Sequence, residues 1–337
     1  MNFGLDFGLG MNQDAGLNLN MNFLSTGREA DPSTVYDLLV VGAGPAGLNA
    51  ALYASRKGLN VAVLAERIGG QVLDTTAVEN WLGVNRIGGE ELMRQYENHV
   101  REHEVPITGN VRVERVTPGD IKQVHTSDGR TFHARGLILA TGTLPRKLGI
   151  PGEKELAGHG VSYCAICDGS FYQGRDVVVA GGGNAAIGAA IDLARIARSV
   201  KVVQRSSLRA DRVLLDRLAG LANVEVLLWT RIVAIEGEHA VTGVRVQDAN
   251  TGTERVIATD GVFIEIGHIA RSDFLKDLLD TTSHGEVIVG ESGETNIPGI
   301  FAAGDVTTVP YKQIVIAAAD GARAALKANE WINRLQA

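Results

Sequence analysis

The chain has 337 residues, enough for two domains that each bury a core. Hydrophobic residues make up 45% and charged residues 21%, an ordinary balance for a globular protein, and the formal net charge of −7 argues against nucleic acid or an anionic membrane as a partner. The longest apolar stretch, 38–54, is interrupted by glycines and a proline, so no membrane span is expected. The two cysteines are too few for a secreted disulfide scaffold, and a cytoplasmic location is the expectation.

Residues 1–34 differ in composition from the rest. The first 24 are rich in Asn, Gly, Leu and Met, with no basic start and no continuous apolar run, so a secretory signal is not indicated. A disordered tail is expected, although 17–23 (Leu-Asn-Leu-Asn-Met-Asn-Phe) alternates strictly enough to pair as a strand.

From Tyr36 the pattern becomes regular. Leu38, Leu39, Val40 and Val41 form a buried-strand run that leads directly into Gly42-Ala43-Gly44-Pro45-Ala46-Gly47. A helical stretch follows to Arg56, and a second strand from Asn60 ends at Glu66. In such a unit Gly42 makes the tight turn, Gly44 admits a pyrophosphate to the backbone, and Gly47 lets helix and strand pack closely. Glu66 can then accept hydrogen bonds from a ribose. Residues 67–82 read as a loop, 90–103 as a helix and 105–132 as short strands. The buried run 136–140 ends in Thr141 and Gly142, small residues suited to lie beside a cofactor, and 144–151, with two prolines, reads as a linker.

The only two cysteines, Cys164 and Cys167, form a C-x-x-C pair just before a strand, a glycine turn and a helix. This context reads as a redox dithiol, because one thiol of such a pair is acidified and can attack a disulfide. A half zinc site is the alternative. Zinc wants four ligands and no second pair stands among the eight scattered histidines, so no metal is expected. The glycine turn reads Gly181-Gly182-Gly183-Asn184-Ala185-Ala186, with Ala186 in the third small position, followed by a helix to about Arg198 and a strand at 200–203. Two glycine turns imply two dinucleotides, or one duplicated fold with an idle second site. More strands are expected over 224–263. Near the C-terminus Gly304-Asp305 ends a strand, and a helix over 313–335 closes the chain.

With both turns, the cysteine pair and Gly304-Asp305 in place, residues 36–335 resemble the low-molecular-weight thioredoxin reductases. The strings at 65–75, 210–214 and 309–314 are closer still to the reductase half of the alkyl hydroperoxide reductase flavoprotein. That relative carries an additional N-terminal redox domain with its own C-x-x-C. Residues 1–34 do not resemble it, so electrons are expected to pass to a separate protein.

The resemblance implies an α/β fold of two Rossmann-like, three-layer ββα domains. The NAD(P) domain (147–276) would be inserted into a discontinuous FAD domain (35–146 and 277–337). FAD would be held by Gly42, Gly44, Pro45, Ala46 and Gly47, with Glu66 on its adenosine ribose and Gly70, Gln71, Asn80, Thr141 and Gly142 along it. Gly304 and Asp305 would lie at the ribityl chain, and Gln313 and Ile314 at the pyrimidine end of the ring. Gly181, Gly183, Asn184 and Ala186 would take the nicotinamide nucleotide.

Catalysis would rest on Cys167 facing the flavin, Cys164 attacking the partner and Asp168 as acid, unless Asp168 is only a turn or cap residue. The partner would be thioredoxin or another small C-x-x-C protein, and the family suggests a homodimer with a swinging NAD(P) domain. After the strand at 200–203 the sequence is Gln204-Arg205-Ser206-Ser207-Leu208-Arg209, without the acid that an NADH site places there. Arg205 and Arg209 therefore point to NADPH, with NADH the alternative. Rival expectations are an NADH-dependent reductase of a peroxiredoxin-system carrier and a slowly turning-over redox sensor.

Overall fold

The computed structural model describes residues 27–75 and 77–336. Expectations for residues 1–26, the alternating 17–23 segment included, lie outside the described residues. Residues 27–34, expected to belong to a disordered tail, pack on the body instead. The Arg28 carbonyl accepts from the Ile107 N–H at 3.0 Å, the Ala30 N–H donates to Thr108 Oγ1 at 2.9 Å, and Ala30 is buried. Ile107 and Thr108 form an edge strand, whose unpaired backbone groups give a passing segment something to bind.

The first set of elements is β1 (Val35–Ala43), α1 (Pro45–Arg56), β2 (Val61–Ile68), α2 (Gly89–Glu102), β3 (Ile107–Thr108), β4 (Val113–Thr117), β5 (Lys122–Thr126) and β6 (Thr131–Leu139). A short β7 (Thr143–Pro145) leads out of it. The second set is β8 (Val161–Ser162), α3 (Ala165–Asp168), β9 (Asp176–Ala180), α4 (Asn184–Leu193), β10 (Ser199–Gln204), α5 (Arg212–Ala219) and β11 (Val224–Leu228). It continues with β12 (Thr230–Glu236), β13 (Gly243–Asp248), β14 (Glu254–Ala258) and β15 (Gly261–Ile264). The chain returns through β16 (His268–Ala270) to β17 (Ile300–Ala302) and α6 (Ile314–Gln336).

The first sheet runs β3-β2-β1-β6-β5-β4, with β17 pairing parallel to the C-terminal part of β6. Leu38 to Val41 are buried because β1 has parallel neighbours on both sides and cover on both faces. On one face α6 lies against α1 through small residues. Ala50, Ala51, Ala54, Ala324, Ala325 and Ala328 are fully buried, and a Cβ on Gly321 would come within 2.0 Å of the Ala46 carbonyl oxygen. This close crossing brings the start of α6 to the first glycine turn.

The second sheet, β11-β10-β9-β15-β8, is parallel throughout. Ile187, Ala190, Ile191 and Leu218 of α4 and α5 pack on Val177, Val179 and Phe263 of one face. The antiparallel β12-β13-β14 covers Val178, Ala180, Val203 and Ile264 on the other. The result is a sheet–sheet–helix sandwich nested between β6 and β17 of the first unit, the expected α/β arrangement. Helix α4 stops at Leu193 rather than near Arg198, because the Asn223 side-chain amide donates to the Ala194 and Ala197 carbonyls at 2.9 and 3.3 Å and satisfies the turn.

The outgoing and returning crossings pair with each other. β7 and β16 form an antiparallel ribbon with Thr143 opposite Ala270 and Pro145 opposite His268. Leu275 and Leu279 are already buried in the core of the first unit, so the return is complete before residue 277, where the boundary was expected. A few polar residues separate the ribbon from that core, and no composition break marks the spot. Among the described residues no helix is long and apolar enough to cross a membrane.

Candidate active site

The first glycine turn divides its work between packing and openness. Gly42 has φ +109°, and a Cβ there would lie 2.2 Å from the Ala140 carbonyl oxygen. A Cβ on Gly47 would lie 1.8 Å from the Gly42 carbonyl oxygen, so both positions exclude a side chain for reasons internal to the fold. At Gly44 nothing lies within 4 Å of the Cβ position. No side chain caps α1, which begins with Pro45 in its first turn. Its N-terminus is thus open to the cleft and electropositive, which suits a diphosphate.

The second turn repeats this division. Gly181 has φ +138°, and its Cβ would meet the Glu265 carbonyl oxygen at 2.4 Å and Ala186, which is fully buried, at 2.9 Å. Gly183 has open space at its Cβ position and precedes α4, which also lacks a side-chain cap. Gln204 is buried beneath this turn, where its Oε1 accepts from the Arg205 N–H at 3.1 Å. Arg205 and Arg209 are exposed, line the cleft, and make no ion pair among the described residues. The Arg209 N–H ties its loop to the turn through the Gly182 carbonyl at 2.7 Å. Asn184 is engaged by Asp211, donating to Oδ2 at 2.9 Å and accepting from its N–H at 2.8 Å.

Cys164 and Cys167 form a disulfide across the one-turn α3, with Cα atoms 5.3 Å apart. The Cys167 N–H donates to Cys164 Sγ at 3.2 Å. Asp168 accepts from Ser162 Oγ at 2.6 Å. Burial lifts its carboxyl above the ordinary carboxylate range, and the Ser162 bond opposes the rise. Gln313, just before α6, brings Nε2 to 3.9 Å from Cys164 Sγ and accepts from Asn80 Nδ2 at 3.1 Å. The disulfide of the nested unit therefore faces the first unit at the start of α6.

Both glycine turns and the disulfide open onto one cleft of about 2690 Å³. Of the residues singled out from the sequence, Gly47, Ala186 and Gly304 stand behind its wall as packing positions; the others line it. Asp305 has no side-chain hydrogen-bond partner among the described residues, and burial pushes its carboxyl up to about 6, with Lys312 opposing the rise. Glu66 ion-pairs with Arg271, whose carbonyl accepts from Thr141 Oγ1 at 2.8 Å. Two uncapped helix N-termini with open glycines and an unpartnered carboxylate form a donor and acceptor set that fits two dinucleotides.

Sequence reasoning missed Arg271 and Glu265. Arg271 lies outside every motif and reaches Glu66 only through the returning crossing. Glu265 lines the cleft directly after β15, and burial pushes its carboxyl up to about 7. A signal did exist for it, because ligands of open α/β sheets sit at the C-terminal ends of the parallel strands.

Residues 36–321 match the pyridine nucleotide-disulphide oxidoreductase family. The chain is 45% identical over 307 residues to the F subunit of the alkyl hydroperoxide reductase of Pseudomonas putida, covering 90% of this chain and 59% of that protein. It thus spans about three fifths of the length of such relatives. The thioredoxin reductase of Streptococcus pyogenes superposes with a TM-score of 0.85 at 38% identity, covering 89% of this chain and 99% of that one. For the Lactococcus lactis thioredoxin reductase, in a structure described as the FR conformation, the TM-score is 0.62 at 34% identity, again over 89% of this chain and 99% of that one. With the family match spanning both glycine turns and the disulfide, the chain belongs to the pyridine nucleotide-disulphide oxidoreductases and has the thioredoxin reductase type of fold.

Proposed function

We propose that the protein is a flavin-dependent disulfide reductase, passing electrons from NADPH by way of FAD and the Cys164–Cys167 disulfide to thioredoxin or a thioredoxin-like carrier. The observation that carries this reading is the opening of both glycine turns and the disulfide onto a single cleft. FAD, when bound, supplies the two-electron relay between nicotinamide and disulfide. In this reading the open α1 N-terminus holds the FAD diphosphate, Glu66 its adenosine ribose and Asp305 its ribityl hydroxyls, with Gln313 and Ile314 at the pyrimidine end. The α4 N-terminus holds the second diphosphate, and Arg205 and Arg209 hold the 2′-phosphate.

Reducing the disulfide breaks the S–S bond and leaves both electrons on sulfur, so a proton must be delivered to form a thiol. Asp168 adjoins Cys167, and burial favours its protonated form; Ser162 holds its orientation. Cys167 takes the flavin-facing role and Cys164 attacks the partner disulfide.

The nicotinamide turn and the disulfide both belong to the nested unit, and both need the flavin. We read the cycle as an alternation in which that unit rotates about the β7–β16 ribbon. The drop in TM-score from 0.85 to 0.62 at similar identity and coverage supports this, since reorienting two similar units has that effect. A homodimer is part of the proposal.

The 45% identity to the F subunit of an alkyl hydroperoxide reductase favours a second reading, an NADH-dependent reductase of a peroxiredoxin-system carrier. Steady-state oxidation of NADPH and NADH with thioredoxin, with a glutaredoxin-like carrier, and with a peroxiredoxin separates the two. Fast thioredoxin reduction with NADPH is the expected result. Turnover only with a peroxiredoxin-system carrier and NADH selects the second reading, and no turnover with any disulfide protein refutes both.

A further inference from the structure

Glu265 stands where the nicotinamide turn and the disulfide turn meet. Its backbone N–H donates to the Ala180 carbonyl at 2.9 Å, and its own carbonyl is the atom against which Gly181 packs. Its side chain reaches the other way, and Oε1 accepts the N–H of Ala165 at 3.1 Å, between the two cysteines. Ala165 opens α3, so this N–H has no partner within the helix, and the Glu265 carboxylate takes a donor that could otherwise stabilise a thiolate at the start of the turn. A second donor, the Cys167 N–H, is already directed at Cys164 Sγ.

We propose that Glu265 is a positioning residue of the disulfide centre: through the Ala165 N–H, its charge sets how readily the reduced turn carries a thiolate. The inference rests on the reductase reading above. Reduction of the disulfide by the two electrons of the nicotinamide breaks the S–S bond and leaves one thiolate and, with one proton taken up, one thiol. A charged Glu265 both occupies the donor and places a like charge beside that thiolate; a protonated Glu265 places no charge there.

Reciprocity follows. The thiolate makes the carboxyl harder to ionise, so reduction is accompanied by proton uptake at Glu265 over the range where it titrates. Burial raises this carboxyl, the Ala165 bond opposes the rise, and no charged neighbour adds to it. Titratable groups on the elements around it include Asp168 in the turn, Tyr163, whose hydroxyl is directed to Glu153 at 3.0 Å, His268 in β16, and Asp176 at the far end of the paired strand β9. The glycine turn at 181–183 contributes none.

The test uses the full-length FAD protein reduced by a dithiol reagent, so it requires neither nicotinamide nor a partner protein. Cysteine alkylation is followed against pH by mass spectrometry in wild type, Glu265→Gln and Glu265→Ala. Glu265→Gln keeps an oxygen for the Ala165 N–H but carries no charge. Its reactive thiol is expected to titrate about one pH unit lower than in wild type, with alkylation about tenfold faster one unit below the wild-type midpoint. Glu265→Ala, which also lacks the acceptor, shows the same downward shift if charge is the cause. Coincident profiles in wild type and Glu265→Gln overturn the proposal, as does a shift seen in Glu265→Ala alone, which assigns the effect to packing. Neither outcome bears on carrier reduction, which the turnover assays read separately.

Discussion

Gly183 allows the second dinucleotide site to be tested without disturbing the fold. Its φ of −93° is open to any residue, and nothing lies within 4 Å of its Cβ position. Replacing it with valine exchanges a glycine for an apolar residue at a helix N-cap, worth up to about 1 kcal/mol. In a domain of this size that lowers the melting temperature by about 2–4 °C. Into the cleft, however, the added methyls project where a diphosphate would meet the first-turn N–H groups. Losing two hydrogen bonds to a charged group, at about 1.5–3 kcal/mol each, predicts NADPH binding weakened at least about a hundredfold. The assay is anaerobic stopped-flow reduction of the bound flavin against NADPH concentration, alongside flavin absorbance and thermal unfolding. Gly183→Val should retain FAD and lose no more than those few degrees, while losing saturable reduction. Gly181→Ala should instead lower the melting temperature further, because φ +138° and a backbone oxygen 2.4 Å from the new Cβ strain the fold itself. An NADPH dissociation constant within threefold of wild type in Gly183→Val would refute the assignment.

Cys167→Ser should retain FAD and flavin reduction by nicotinamide but lose protein-disulfide reduction; undiminished carrier reduction rules out the relay. Arg205→Ala should lower kcat/KM for NADPH about tenfold or more with little change for NADH, since a guanidinium on the exposed rim serves only the 2′-phosphate. Equal losses with both coenzymes, or none, count against the NADPH reading. Asp305 has a carboxyl raised to about 6 by burial, so the stability it contributes is complete below about pH 4 and is lost as the pH rises through 6. The flavin-free Asp305→Asn variant should therefore be more stable than wild type at pH 8, by at most about 3 kcal/mol, and should bind FAD more weakly. Parallel denaturation midpoints for the two proteins from pH 4 to pH 8 contradict this.

The parts of the site legible in the sequence are those built by consecutive residues. Gly42, Gly44 and Gly47 are set by a strand passing into a helix within a few positions, and the same holds for Gly181, Gly183 and Ala186, so spacing alone implies their geometry. The division of labour expected within the first set recurs in the structure and in the second set. The space around each Cβ separates Gly44 and Gly183, open to the cleft, from Gly47 and Ala186, which pack behind it. Glu265 and Arg271 depend on partners 100 and 205 positions away, and no local pattern encodes such meetings. Residues 27–34 were misplaced for a related reason. A single buried alanine, one backbone bond to Ile107 and one from the Ala30 N–H to the Thr108 hydroxyl hold them to an edge strand, and bonds made by their own backbone leave almost no trace in the segment's side-chain composition.

The pairing of Pro145 with His268 also bears on how such a chain can vary. Everything from β8 to β15 begins and ends at one spot on its host, beside a ladder that closes on itself. Just inside it, Glu153 is buried and accepts the Leu148 and Gly149 N–H groups at 3.0 and 2.7 Å, so the outgoing segment is secured by the insert's own residue. The host sheet has a single junction to keep in register, whatever length of chain is looped out beyond it. Insertions and deletions beyond the ribbon are thus insulated from the first unit, and the nested unit can be exchanged as a cassette with its two ends already side by side.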